Sequence, residues 1–388
     1  MTIALWLSLF IIFYTFFGYG ILLFFLIKLK RLFSKREQIS YAFDELPSCT
    51  LIVAAYNEAA YIENKIKNTL ELNYPANKLK FIFVTDGSTD ATPNIIANYP
   101  QIKLLHSTAR LGKISAVHRS IAEVDTDLIV FTDANTFLNA DSIFLLCRHY
   151  KDEKVGAIAG EKRVFIEETA DATAGEGIYW KYESKLKAWD SELFSVVGAA
   201  GELFSIRRSL YEPVPANSVL DDFMISMRIA EKGYKIVYEP DAYAQEQSSA
   251  NITEELKRKV RIAAGGIQSV IWLKALLNPF KFPMLSFQYI SHRVLRWTIT
   301  PILMVVALIL NVMVVFEGAS VFYQILLALQ LIFYVAAFAG KVLEDRKVTV
   351  KILFIPYYFC MMNYAVLAGI WRYFFSEQSV VWEKALRK

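Results

Sequence analysis

Three aspartates and the residues around them carry the chemistry open to this sequence. Asp86 closes the apolar run at residues 81–85, and Asp133 closes the run at residues 128–132. Asp222 lies in Val219-Leu220-Asp221-Asp222-Phe223, ahead of an amphipathic stretch. Carboxylates at the carboxyl ends of parallel strands point into the crevice where an open α/β sheet binds its ligand. There they can hold a divalent cation, and the cation can neutralise a diphosphate. A further carboxylate can take a proton from an attacking hydroxyl. The combination implies group transfer from a nucleotide-activated donor.

Smaller signals surround these acids. The first strand-like run ends in Tyr56-Asn57-Glu58, and Asp86 continues into Gly87-Ser88-Thr89-Asp90. Gly87 permits a tight turn, and Ser88 or Asp90 can cap the helix that follows. Asp-Gly is also a common turn dipeptide, so taken alone this motif is more often an ordinary strand-to-helix turn. Lys113 follows Gly112 at a helix start, where an ammonium and free backbone N–H groups can meet a phosphate. Asp133 and Asn135 fall on one side of an extended chain. Asp221 and Asp222 can also be read as N-caps of the helix over residues 223–232.

Elements of two kinds must position these groups. Residues 51–55, 81–85, 102–105 and 128–131 are short apolar runs rich in branched residues, and residues 60–72 and 113–123 connect them as helices. This alternation predicts an α/β fold, with βαβ units around a mostly parallel sheet. The rest is membrane-like. Of 388 residues, 55% are hydrophobic and 14% aromatic, above the average soluble domain. A net charge of +4 and the lack of a basic stripe interleaved with aromatics give no case for nucleic acid. Cys49, Cys147 and Cys360 share no metal-ligand spacing and read as reduced thiols.

Residues 3–27 form an uncharged apolar run long enough to span a bilayer. No basic residue precedes it and large residues fill its end, which favours a retained helix over a cleaved signal peptide. Lys28, Lys30, Arg31, Lys35 and Arg36 place the following region in the cytoplasm. Further apolar runs cover residues 298–316, 320–340 and 352–371. Lys341, Arg346, Lys347 and Lys351 put the last link inside. Four full spans would leave the tail outside, yet it carries Arg372, Lys384, Arg387 and Lys388, so a re-entrant final segment stays open. Residues 178–194, 256–277 and 282–297 mix aromatic and basic side chains and suit the membrane boundary.

The motifs, in this order over about residues 48–268, resemble glycosyltransferase family 2, the inverting enzymes of GT-A fold. Its membrane-embedded members, such as the hyaluronan and cellulose synthases and related bacterial exopolysaccharide enzymes, look most similar. The resemblance implies that Tyr56, Glu58 and Asp86 hold the base and ribose, and that Lys113 and Arg261 meet the diphosphate. It implies a metal motif at Asp133-Ala134-Asn135 for Mg2+ or Mn2+, and an acceptor-side stretch including Gly198, Gly201 and Glu202. The acidic pair becomes Asp221 and Asp222, with Asp222 the general base. Asn135 stands where the family has aspartate, which removes one charge. In the family's Gln-x-x-Arg-Trp motif, Arg258 replaces glutamine and Ile262 replaces tryptophan, while Arg261 is kept.

The resulting expectation is an integral-membrane transferase using a nucleotide sugar, most often UDP-linked in this family, on a glycan or lipid-linked acceptor. Its parts are a span at residues 1–30, a GT-A domain at 48–250, interfacial helices at 251–297 and spans at 298–375. It would sit among membrane lipids of a bacterial inner (plasma) membrane, catalytic domain cytosolic, with export subunits as possible partners. A polymerising synthase, a single-addition enzyme on a lipid-linked acceptor, and a non-catalytic nucleotide-sugar-binding subunit of an export assembly all fit these motifs.

Overall fold

The computed structural model describes residues 1–33, 45–165, 173–247, 252–318, 320–346, 348 and 350–376. The basic residues Lys35, Arg36, Lys347, Lys384, Arg387 and Lys388 therefore lie outside the described residues. Helices α1 (Thr2–Phe13) and α2 (Tyr19–Phe33) join through a π turn at Tyr14–Gly18. Next come β1 (Cys49–Ala55), α3 (Ile62–Leu70), β2 (Leu79–Asp86), α4 (Thr92–Ala97), β3 (Lys103–Ser107), α5 (Lys113–Ile121) and β4 (Leu128–Asp133). The chain goes on through β5 (Thr136–Leu138), α6 (Ser142–Cys147), β6 (Val155–Phe165), α7 (Thr173–Leu193), β7 (Leu203–Arg207), α8 (Asp221–Glu231) and β8 (Lys235–Gln247).

The strands form one sheet in the order β3-β2-β1-β4-β7-β6-β8-β5. Its first half is the expected parallel βαβ array. Every residue of β1 is buried, as a strand covered by helices on both faces must be. Alternate residues face opposite cores: Ile52 and Ala54 join Val84, Ile129 and Phe131, while Leu51 and Val53 join Phe83 and Val130. Full burial of each such aliphatic or aromatic side chain stabilises the fold by about 1.5–3 kcal/mol. Register sets the site. Ala54 pairs with both Val84 and Asp133, and Asp86 pairs with Ser107, so the strands end at one edge.

The second half is mixed, which the apolar-run pattern does not announce. β7 runs antiparallel to β4 and β6, and β6 runs parallel to β8. Phe131 and Phe204 stack across β4 and β7 with ring centroids 4.6 Å apart. β6 carries Glu161, Lys162 and Arg163, and this charge hides it from a hydrophobic reading. Lys162 is nonetheless buried, because it pairs with carboxylates.

Beyond the sheet lie α9 (Ile252–Trp272), α10 (Pro283–Tyr289), a π turn at Ile290–Val294, α11 (Leu295–Trp297), α12 (Ile299–Phe316), α13 (Val321–Asp345) and α14 (Lys351–Phe375). Four helical stretches are long and apolar enough to cross a membrane: Thr2–Phe33, Ile299–Phe316, Val321–Asp345 and Lys351–Phe375. They coincide with the spans expected from sequence.

Two placements refine those expectations. First, α14 runs along α9 in the same direction. Phe354 and Tyr358 pack near Ile252 and Leu256, and a Cβ on Gly369 would fall 2.5 Å from the Ala263 Cβ. Small residues permit such close approach of helix backbones. Second, the stretches read as boundary helices turn much of their charge inward. Glu183, Lys187, Asp190, Glu255, Lys259 and His292 are all buried. Their amphipathic pattern is answered by ion pairs inside the protein as well as by apolar packing.

Candidate active site

The predicted acids and Lys113 sit at strand ends or helix starts, whereas Arg258 and Arg261 lie within α9. After β1, Asn57 adopts a positive φ of 52°, and its Oδ1 accepts the Thr89 N–H at 2.8 Å. The Glu58 N–H donates to Thr92 Oγ1 at 2.9 Å, and the Ala59 N–H to Asp90 Oδ2 at 3.1 Å. These bonds tie the turn after β1 to the turn after β2. Asp90 also accepts the Thr92 N–H at 3.0 Å, ahead of α4.

Asp86 is committed to the backbone around Lys113. Its Oδ2 accepts the N–H groups of Leu111 (2.9 Å) and Gly112 (2.7 Å), and its Oδ1 accepts Arg119 at 3.2 Å. Gly112 takes φ +94° there, which favours glycine. Asp86 therefore fixes the loop that starts α5 and aims Lys113. It lies in a small recess with Tyr56 and Arg110, whose guanidinium sits 3.8 Å over the Tyr56 ring.

Lys113 is the centre of an acidic cluster. Its Nζ donates to Asp133 Oδ1 at 2.9 Å and lies 3.9 Å from Asp221 Oδ2. Burial alone would pull its pKa down, but Asp133, Asp221 and Asp222 outweigh burial and hold it above the ordinary lysine value. Asp222 behaves differently. Burial first, then the neighbouring Asp221, pushes its carboxyl up to about 7, against the lowering effect of Lys113.

The expected capping by Asp221 or Asp222 does not occur. They are the first two residues of α8, and the N-cap position belongs to Leu220, with no side-chain cap. Their carboxylates line the cavity instead. Gly201 leaves room for them: a Cβ there would stand 3.2 Å from Asp222 Oδ2 and 3.4 Å from Lys113 Nζ. Gly198 (φ +81°) makes room behind, where a Cβ would fall 2.1 Å from the Phe223 ring.

One cavity of about 1030 Å³ gathers Tyr56, Glu58, Lys113, Asp133, Asn135, Gly198, Gly201, Glu202, Asp221, Asp222, Arg258 and Arg261. Of the predicted set only Asp86 stands outside it. Arg258 and Glu202 line the cavity but belong to an ion network. The Glu202 Oε1 lies 2.6 Å from Lys162 and 3.4 Å from Arg258, and Arg258 also faces Glu246 (3.8 Å) and Glu255 (3.9 Å). Lys162 pairs with Glu246 as well. Burial would raise the Glu202 pKa, but Lys162 and Arg258 hold it well below the carboxylate range. Arg258, unlike the glutamine it replaces, thus supplies charge to a carboxylate cluster.

Sequence reasoning missed several contributors. Lys65 is fully buried under the Asp133–Asn135 turn, donating to Thr132 Oγ1 (3.1 Å) and the Thr136 carbonyl (2.7 Å), and burial pulls its pKa down to about 7. Its place in an amphipathic helix gave no sign of this. Trp180, Lys162, Trp297 and the α14 residues Tyr364, Ala368 and Arg372 also line the cavity. Trp180 and Trp297, each in a stretch of mixed aromatic and basic residues, offered a sequence signal.

A divalent cation fits the donors present. Among the described residues no group of three or more His, Cys, Asp or Glu side chains is arranged to hold a metal. Asp133 and Asn135, however, bring two hard oxygen donors to the cavity wall. Mg2+ characteristically uses one or two carboxylates and completes its shell with substrate phosphates and water.

The chain is similar to known glycosyltransferases in sequence and in fold. Residues 50–214 match the profile of glycosyl transferase family 2. The probable glycosyltransferase YdaM of Bacillus subtilis is 29% identical over 260 residues, covering 61% of this chain and 59% of its own. A poly-β-1,6-N-acetyl-D-glucosamine synthase of Staphylococcus aureus is 26% identical over 230 residues, covering 58% and 55% respectively. The match thus spans less than two thirds of these relatives. In three dimensions the chain is similar to the mannosyltransferase PcManGT of Pyrobaculum calidifontis, solved with GDP-Man and Mn2+. The TM-score is 0.68 at 22% identity, covering 96% of this chain and 99% of that one. The fold is GT-A.

Proposed function

We propose that this chain, whose residues 50–214 match the glycosyl transferase family 2 profile and whose fold is GT-A, is a membrane-bound inverting transferase acting from a nucleotide sugar. The observation that carries this reading is the meeting of Asp133, Lys113, Asp221 and Asp222 in one cavity wall, with the Asp222 carboxyl pushed up to about 7.

Each residue has a role its surroundings support. Tyr56 and Glu58 line the end of the cavity beside β1, where base and ribose would lie, and Asp86 holds the loop that aims Lys113. Lys113 and Arg261 supply positive charge for the diphosphate. Asp133 and Asn135 would hold Mg2+ or Mn2+, whose charge would offset that of the departing diphosphate. Asp222 takes the proton of an acceptor hydroxyl. The freed oxygen attacks the anomeric carbon opposite the diphosphate, the carbon–oxygen bond to the diphosphate breaks, and the nucleoside diphosphate leaves. One displacement inverts the centre. A carboxyl at about 7 suits the base role, because its proton affinity lies near the working pH.

The cavity extends to Tyr364, Ala368 and Arg372 of α14, which supports an acceptor approaching from the membrane side, lipid-linked or a growing glycan. With the catalytic domain facing the cytosol, the bilayer would be the bacterial plasma membrane. The test is nucleoside diphosphate release from a panel of UDP- and GDP-sugars by the full chain in lipid with Mg2+ or Mn2+, followed by sizing of the sugar product. Release from one donor is expected. No release with any donor, with lipid and oligosaccharide acceptors added, would overturn the reading in favour of a non-catalytic role.

A further inference from the structure

The first turn of α8 carries both Asp221 and Asp222, yet no side chain caps it. Packing around Phe223, the next residue, helps to place it. Phe223 is 5% exposed and sits in a slot made from two sides. Behind it, Gly198 has no Cβ to obstruct the ring. In front, the Trp297 ring meets it edge-on, with centroids 5.2 Å apart and planes at 65°. Ala199 N–H donates to Ser226 Oγ at 2.9 Å, and Ser226 Oγ donates to the Asp222 carbonyl at 2.9 Å, so the same turn is tied to the Gly198 loop.

Trp297 lines the cavity on one side and is held on others. A Cβ on Gly266 of α9 would fall 2.7 Å from the indole, so α9 passes directly behind it. The Arg293 guanidinium lies 5.7 Å from its ring. Arg293 and Arg296 each reach Glu183 of α7 at 2.9 Å. His292 presents Nδ1 to Asp190 at 2.5 Å and Nε2 to Glu183 at 3.1 Å. Directly after Trp297, Thr298 (φ −125°, ψ −90°) breaks the helix, and α12 begins.

We propose that Trp297 is a positioning residue for Asp222, acting through Phe223, so that the helix leading into α12 sets the geometry of the candidate base. The inference rests on the reading of Asp222 as that base. Asp221, Lys113 and Glu202 are the charged groups acting on the Asp222 carboxyl. Trp297 adds no charge. It excludes water and fixes the turn. Two packed glycines, one behind each ring, are what a fixed ring pair needs, since any Cβ would displace it.

The experiment uses the full chain in lipid, with Trp297→Ala, Trp297→Phe, Gly266→Ala and Asp222→Asn. One readout needs no substrate: labelling of Asp222 by a hydrophobic carbodiimide, which attacks the protonated carboxyl, followed by peptide mass analysis across pH. The other is nucleoside diphosphate release from UDP-N-acetylglucosamine or GDP-mannose. In Trp297→Ala, water reaches Asp222, and its labelling midpoint is expected to fall by about one pH unit. The kcat should drop about tenfold while donor Kd changes less than about twofold. Trp297→Phe should restore most of both. Gly266→Ala, which pushes the indole without removing it, should move them the same way should Trp297→Ala fail to fold. An unchanged midpoint and kcat in folded variants would overturn the proposal. So would a raised acceptor KM at constant kcat, which would make Trp297 a substrate contact. Wild-type turnover by Asp222→Asn would instead overturn the base reading, and the functional claim for Trp297 with it.

Discussion

Two charged clusters face the same cavity, and their composition differs. Around Lys113, three carboxylates (Asp133, Asp221, Asp222) meet one ammonium. Around Glu183, two carboxylates (Glu183, Asp190) meet two guanidinium groups and an imidazole. The first cluster has negative charge to spare, and one carboxyl is pushed up to about 7. In the second, burial would raise the Glu183 pKa, but Arg293, His292 and Arg296 hold it well below the ordinary range. Tyr19 adds its hydroxyl to Asp190, and Gln288 donates to Asp190 Oδ1 at 3.1 Å. Matched charge joins α2, α7 and the segment before α12, whereas the unmatched cluster can receive a proton or a cation. Charge balance, more than burial, separates fastening from chemistry here.

The strongest way to break this comparison is Asp222→Asn. It should lower nucleoside diphosphate release by about 10²–10⁴-fold while donor affinity, measured by titration, stays within about threefold. Equal loss of both would count against a base. Glu183→Gln tests the other cluster. It leaves Arg293 and Arg296 short of a buried partner and should cost about 3–5 kcal/mol of stability in thermal or denaturant unfolding. Release per folded molecule should hold to within about tenfold, far less than for Asp222→Asn.

Lys113→Met sharpens the contrast by removing the one cation of the acidic cluster. Donor affinity should fall by about tenfold or more. The pH profile gives a second measure. As the proposed base, Asp222 would act deprotonated, so wild-type activity should fall as pH drops through about 7. Lys113 lowers the Asp222 pKa, so its loss should move that limb to higher pH. The smallest effect is expected from Arg258→Gln. Its guanidinium serves Glu202, Glu246 and Glu255, so donor affinity should change less than about threefold. A large loss would make Arg258 a donor contact.

Much of this was legible before any coordinates. Asp86 and Asp133 end β2 and β4 as their apolar runs require, and the runs themselves are branched and short enough to be buried parallel strands. Lys113 begins α5 because Gly112 can take the positive φ before it. The four apolar helices were plain from length alone. The part that escaped is the part made by pairing distant segments. β6 looks too charged to be a strand, because its partners Glu202 and Glu246 lie on other elements. Asp221 and Asp222 resemble caps in one dimension, and only the placement of Leu220 shows that they are free to line the cavity.

The sequence by itself determined the local chemistry of this protein: which strands end in acids, where an ammonium opens a helix, and which helices suit a bilayer. Those follow from periodicity, turn residues and hydrophobic length, all properties of neighbouring residues. The tertiary structure alone decided which charges are matched and which are not. It put Arg258 among three carboxylates, Lys65 beneath the Asp133 turn, and Trp297 against Phe223. The physical reason is that a charge's environment is set by whatever lies within a few ångströms of it. In a buried site those neighbours come from segments far apart in the chain.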